Sequence, residues 1–247
     1  MPVPGFRQRV RAEHWPNRLR WGLRDAFALL MLPLMLLLPT CLSALFPLSP
    51  AFLINGDVVL RAVLFLALIV LYQDMLAHHW QHFKAGGWRS WALVCSGAIG
   101  LQLCISVVKA YLPATAALGA AEPDIDLPSL GLMLLLGFGP VLTALIEDIV
   151  FRYTLLHKLF TPHRLWRVAV LLGNSVLFGL LHYHNVGGHL LATISFMAAG
   201  LYLNLIYVWT RNLWHVLLIH VLNNAALSLG GVVLLMVLQA LGLGAGM

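Results

Sequence analysis

The stretch Ile146-Glu147-Asp148-Ile149-Val150-Phe151-Arg152 places three charged residues inside a run that is otherwise apolar from Leu130 onward. A charge at the centre of a membrane helix costs at least ~2.5–3.5 kcal/mol, so it usually marks function. Asp148 and Arg152 are four apart, share a helix face and can pair. Glu147 lies ~100° round the helix from Asp148 and can point elsewhere, into a cavity. Asp148–Arg152 therefore reads as a structural pair and Glu147 as the reactive group. A buried ion network that braces helices is the other reading of the same three residues.

Composition sets the class. Of 247 residues, 61% are hydrophobic and 10% charged, and mean hydropathy is +0.88. Several runs exceed the ~18 apolar residues that signal a spanning helix. The expected fold is all-α: a polytopic transmembrane helical bundle with seven to eight membrane helices. The short alternating segments of a membrane β-barrel are absent from the sequence. The net charge of +6 is no nucleic-acid signature, because Lys and Arg sit between the hydrophobic runs, where they orient a chain in a bilayer. Cys41, Cys95 and Cys104 form no CxxC and read as packing residues.

Residues 1–24 form a basic segment with Arg7, Arg9, Arg11, Arg18, Arg20 and Arg24. Three spans are expected within 25–128, at about 25–47, 58–77 and 91–112. The first bends at Pro33 and Pro39. His78, His79 and His82 fall after the second and read as interfacial, with metal binding as the lesser alternative. An acidic loop holds Glu122, Asp124 and Asp126. Residues 129–228 carry the remaining motifs. A long fourth helix over about 129–160 bends at Gly137, Gly139 and Pro140; the fifth and sixth spans cover about 165–183 and 189–209. A seventh starts near Leu213. Residues 229–247 form a C-terminal hydrophobic segment, in which Gly230-Gly231 either kinks the seventh span or begins an eighth. Loops after even-numbered spans are basic, so the N-terminus is expected in the cytoplasm of an integral membrane protein.

Two further polar pairs lie within apolar helices: Phe178 with His182, and His220 with Asn224, each four apart on one face. Counted at ~1.5 Å per residue from the nearest basic flank, Glu147 lies about 16 Å deep, His182 about 22 Å, His220 about 13 Å and Asn224 about 20 Å. All fall near the middle of a ~30 Å hydrocarbon core. A carboxylate, two imidazoles and an amide could converge on one water-accessible pocket, equipped to activate water and stabilise an oxyanion. His157 and His163 read as interfacial, His215 lies off the His220 face, and Asn174 and Asn204 suit helix-packing hydrogen bonds.

Glu147-Asp148-x-x-x-Arg152, Leu177-Phe178-Gly179-Leu180-Leu181-His182 and His220-x-x-x-Asn224 resemble, in order, the three motifs of the CAAX protease and bacteriocin-processing (CPBP) family of intramembrane proteases. The resemblance covers about 130–228. The family usually has Glu-Glu where this chain has Glu147-Asp148. The resemblance implies hydrolysis of a peptide bond in a membrane-associated protein or peptide, in a bacterial inner membrane. It implies catalytic roles for Glu147, His182, His220 and Asn224, with Asp148, Arg152 and Phe178 supporting. A glutamate-activated water without cofactor is the favoured mechanism. Zinc held by Glu147, His182 and His220 is the alternative. A non-catalytic immunity or regulatory partner, or a small proton-coupled transporter, are the competing functions.

Overall fold

The computed structural model describes residues 4–46, 50–113 and 130–241. The acidic loop with Glu122, Asp124 and Asp126, and the residues after Leu241, lie outside the described residues. A short helix α1 (Phe6–Val10) precedes α2 (Leu23–Leu45), α3 (Pro50–Ala85), α4 (Trp88–Ala110), α5 (Leu130–Asp148), α6 (Arg164–Leu181), α7 (Thr193–Thr210) and α8 (Leu213–Ala240). From α5 the chain continues without a break into a π-helical segment, Ile149–His157. Among the described residues, seven helices are long and apolar enough to cross a membrane. The protein is a polytopic all-α bundle. Large apolar side chains on the outer helices face outward, as a lipid environment requires.

Two sequence expectations differ from the structure, and one left open is resolved. The second span is longer than 58–77: α3 starts before Asp57 and runs to Ala85, with a kink at Tyr72. His78, His79 and His82 therefore sit on a helix, and His79 is fully buried. Its Nδ1 accepts from Leu213 N at 2.9 Å, which leaves Nε2 to donate to Glu13 at 3.2 Å. His157 is buried rather than interfacial, its ring stacked on Tyr153 at 5.8 Å. Gly230-Gly231 neither ends nor splits the last span, since α8 continues through both to Ala240.

The packing that positions the site is between α6 and α7. A Cβ on Gly179 would lie 2.2 Å from Met197 Cγ and 2.7 Å from Met197 N, so only glycine permits this approach. Small residues serve membrane helices this way because dispersion contacts, not the hydrophobic effect, hold them together. Beside that contact Asn204 Nδ2 donates to Asn174 Oδ1 at 2.9 Å and Ser175 Oγ at 3.0 Å, the packing role expected of the two asparagines. Asn174 Nδ2 in turn donates to Phe151 O at 2.9 Å. Phe151 belongs to the π segment, so this bond ties α6 to the wide turn just past Asp148.

The basic N-terminal segment is docked on the end of the bundle. Asn212 Nδ2 donates to both Val10 O and His79 O, each at 2.9 Å. Trp15 packs on Phe160 and His157, with ring centroids 4.5 and 5.2 Å away. Partial burial raises the Glu13 pKa, but the hydrogen bond from His79, with the electrostatic effect of the surrounding imidazoles, outweighs it. The net shift is below the ordinary 4.5. A carboxyl whose pKa falls on folding stabilises the fold above its unfolded value and loses that contribution as pH drops through the folded value. Docking of residues 5–15 should therefore weaken below about pH 4.5. Hydrogen exchange of the Ala12 amide, corrected for intrinsic rate, should rise there in the wild type. In Glu13→Gln it should already be fast at pH 6; equal protection in both proteins would refute the linkage.

Candidate functional site

Asp148 is the last residue of α5 and is fully buried, as is Arg152 one turn later. Asp148 Oδ1 lies 3.0 Å from Arg152 Nη1, the pairing their spacing predicts. The contact is ionic rather than a directed hydrogen bond, because neither atom has a hydrogen-bond partner of good geometry. The Arg152 guanidinium instead rests on the Phe178 ring, with Cζ 4.3 Å from its centroid. Cation–π contact is strongest where water is excluded, which compensates a buried cation. Phe178 is itself held by Phe151 at 5.3 Å, edge to face.

The other Asp148 oxygen, Oδ2, faces His220 Nδ1 at 3.4 Å. Its acceptor character places the proton on Nδ1 and turns the Nε2 lone pair outward. Nε2 of His220 lies 3.7 Å from Glu147 Oε2. His182 repeats the arrangement from α6. Its Nδ1 donates to Phe178 O at 2.9 Å, and its Nε2 lies 3.8 Å from Glu147 Oε1. The His182 ring stacks on Phe196 at 4.3 Å. Two imidazoles on different helices thus present their Nε2 atoms to the two oxygens of one buried carboxyl. Both separations exceed hydrogen-bond length, so neither ring bonds the carboxyl directly.

Glu147, His182 and Asn224 line one cavity of about 260 Å³. Asn224 Nδ2 donates to Pro140 O at 3.0 Å; an amide carries a second N–H, which remains for the cavity. His220 does not line the cavity and sits behind Glu147. The wall also includes Asp57, Val58 and Arg61 from the start of α3, Thr143 from α5 and Asn185 after α6. These ends of α3 and α6 lie at the face of the bundle away from the docked N-terminal segment. Asp57, Arg61, Thr143 and Phe196 are site residues that sequence reasoning missed. Arg61 had a signal: a cation one turn from Asp57 inside an apolar span. Phe196 had none.

Among the described residues, no group of three or more His, Cys, Asp or Glu is placed to hold a metal ion.

Fold and site define a polytopic helical membrane protein whose ionisable residues gather round one interior carboxyl. Residues 129–226 match the family model described as Type II CAAX prenyl endopeptidase Rce1-like, so this part of the chain is similar to that family of membrane endopeptidases. The match contains Glu147, Asp148, Arg152, Phe178, His182, His220 and Asn224, whereas α1 to α4 lie outside it. No curated protein and no solved structure matches the chain.

The Asp148 hub generates a prediction. Asp148→Asn leaves Arg152 as an uncompensated buried charge, a class of change that costs about 3–5 kcal/mol. Thermal unfolding in detergent should show a large loss of folded protein. Glu147→Gln should unfold within a few degrees of wild type, since no charge is stranded. Equal stability of the two variants would remove Asp148 from its bracing role.

Proposed function

We propose that the protein is an intramembrane endopeptidase in which Glu147 activates a water against a peptide bond of a membrane-associated substrate. The observation that carries this reading is the pair of outward-turned imidazole Nε2 atoms flanking the Glu147 carboxyl. Three acceptors converge there, and a shared water can supply the protons between them. Glu147 takes a proton from that water, and the hydroxide adds to the scissile carbonyl. His182, on the cavity side, orients the water. The second N–H of Asn224 donates to the oxyanion, and His220, held by Asp148, positions the Glu147 carboxyl from behind. Glu147 then returns its proton to the leaving amine, and the carbonyl re-forms. A buried carboxyl is suited to this work because low dielectric strengthens every donor aimed at the oxyanion.

The residues that would hold zinc in the alternative mechanism are the same three: Glu147, His182 and His220. Two measurements separate the mechanisms. Glu147→Gln should lower cleavage by about 10²–10⁴-fold. Wild-type protein should keep its activity through prolonged chelation. Stoichiometric zinc, with activity lost on removal and restored on re-addition, would reassign the three side chains as ligands.

Orientation follows from the charges. Arg7, Arg9, Arg11, Arg18 and Arg20, with Lys84, Arg89, Lys158, Arg164 and Arg167, belong to one end of the bundle. The positive-inside bias puts that end in the cytoplasm. The cavity lies toward the opposite face, so substrate is cut nearer the external side. A reporter fused at Gly86 should read cytoplasmic; an external reading reverses the side of cleavage.

A further inference from the structure

The cavity holds a fixed cation that lies outside the residues matched to the family. Arg61 projects from α3 and is part of the same wall as Glu147 and His182. Its Nε donates to Asp57 Oδ2 at 2.7 Å, and its Nη1 to Thr143 Oγ1 at 2.6 Å. Thr143 Oγ1 donates onward to Gly139 O at 2.9 Å, so the contact is aligned along α5. The guanidinium is therefore immobilised on two of its three nitrogens. Nη2 donates to no acceptor among the described residues, and the side chain keeps 23% of its exposure. An arginine in an apolar span is costly, and helix bracing alone would call for no free donor. Arginine is also the side chain whose planar fork best fits a carboxylate.

Resting on the endopeptidase reading above, we propose that Arg61 is a specificity-determining residue that binds a carboxylate of the substrate peptide about two residues from the scissile bond. The spacing comes from α5. Thr143, which marks the level of the guanidinium, is one helical turn from Glu147, a rise of about 6 Å. An extended peptide advances about 3.3–3.6 Å per residue, so about two residues span that interval. Asp57 contributes by fixing Nε and by repelling a carboxylate that approaches from its own side. The group recognised is a carboxylate, whether an Asp or Glu side chain or a free C-terminus.

The test uses the purified full-length protein in detergent with synthetic apolar decapeptides. Each peptide carries one Asp, or one Asn at the same place, stepped through the sequence, and a further set ends in either a free carboxylate or an amide. Mass spectrometry locates the cuts. Wild type should favour peptides with the acid two residues from the cut, at least about tenfold over the neutral match, because a charge-assisted hydrogen bond is lost. Which set shows the preference tells a side chain from a C-terminus. Arg61→Gln should lower cutting of the acidic peptides far more than of the neutral ones, which abolishes the preference; Arg61→Lys should retain part of it. An equal fall for acidic and neutral peptides in Arg61→Gln means Arg61 only braces α3 on α5, and overturns the proposal. So does an unchanged preference. Should wild type cut nothing, the endopeptidase reading fails, but binding still decides Arg61. Immobilised Glu147→Gln protein should retain the acidic peptide over the neutral one only while Arg61 is present. Equal retention overturns the proposal.

Discussion

A charge inside a membrane helix must be compensated within reach of its own side chain, because neither water nor salt can do it there. Asp148 meets this constraint for one cation and orients an imidazole as well. One oxygen faces the guanidinium of Arg152 and the other faces the imidazole of His220. Arg152 needs more than Asp148, and takes it from the Phe178 ring. Three helices and the π segment are thereby locked to one carboxylate. Glu147, the neighbour in sequence, is freed by that arrangement from any structural duty. The Asp in place of the more usual second Glu shortens the side chain, and a 3.0 Å ionic contact is still reached.

Helix packing delivers the second imidazole. His182 follows the last turn of α6, and its position depends on how closely α6 lies on α7. Gly179 sets that distance at Met197, while Gly200 makes room for Phe178, whose ring a Cβ there would approach within 2.9 Å. The polar trio of Asn174, Ser175 and Asn204 fixes the register of the same pair of helices. Asn174 also spends a donor on a π-segment carbonyl. Such wide turns recur at functional sites because they shift side chains out of helical phase. Here the widening begins immediately after Glu147-Asp148, so it separates the two acids from the helix that follows.

Much of this was legible before any coordinates. Seven spans follow from apolar runs alone, and spacing of four placed Asp148 with Arg152 and Phe178 with His182. These are local rules of helix geometry. What escaped reading was set by partners distant in the chain. His79 looked like an interfacial residue because nothing nearby announces Leu213 and Glu13 as its partners. His157 is buried by Trp15, more than a hundred residues earlier. Arg61 was passed over because Thr143, which holds its guanidinium in the cavity wall, lies far along the chain. The π segment has no sequence signature, since its residues are ordinary helix formers in an apolar run.

The two histidines look symmetric in sequence but not in place. His182 shares the cavity with Glu147, while His220 lies behind it against Asp148. Glu147 therefore stands between a wet side and a dry one. On the wet side a neutral imidazole can hold water without competing for charge. On the dry side the Asp148 carboxylate faces the imidazole at 3.4 Å and fixes its tautomer and ring orientation. The difference between the two positions originates in Asp148, whose one free oxygen supports the imidazole on the dry side.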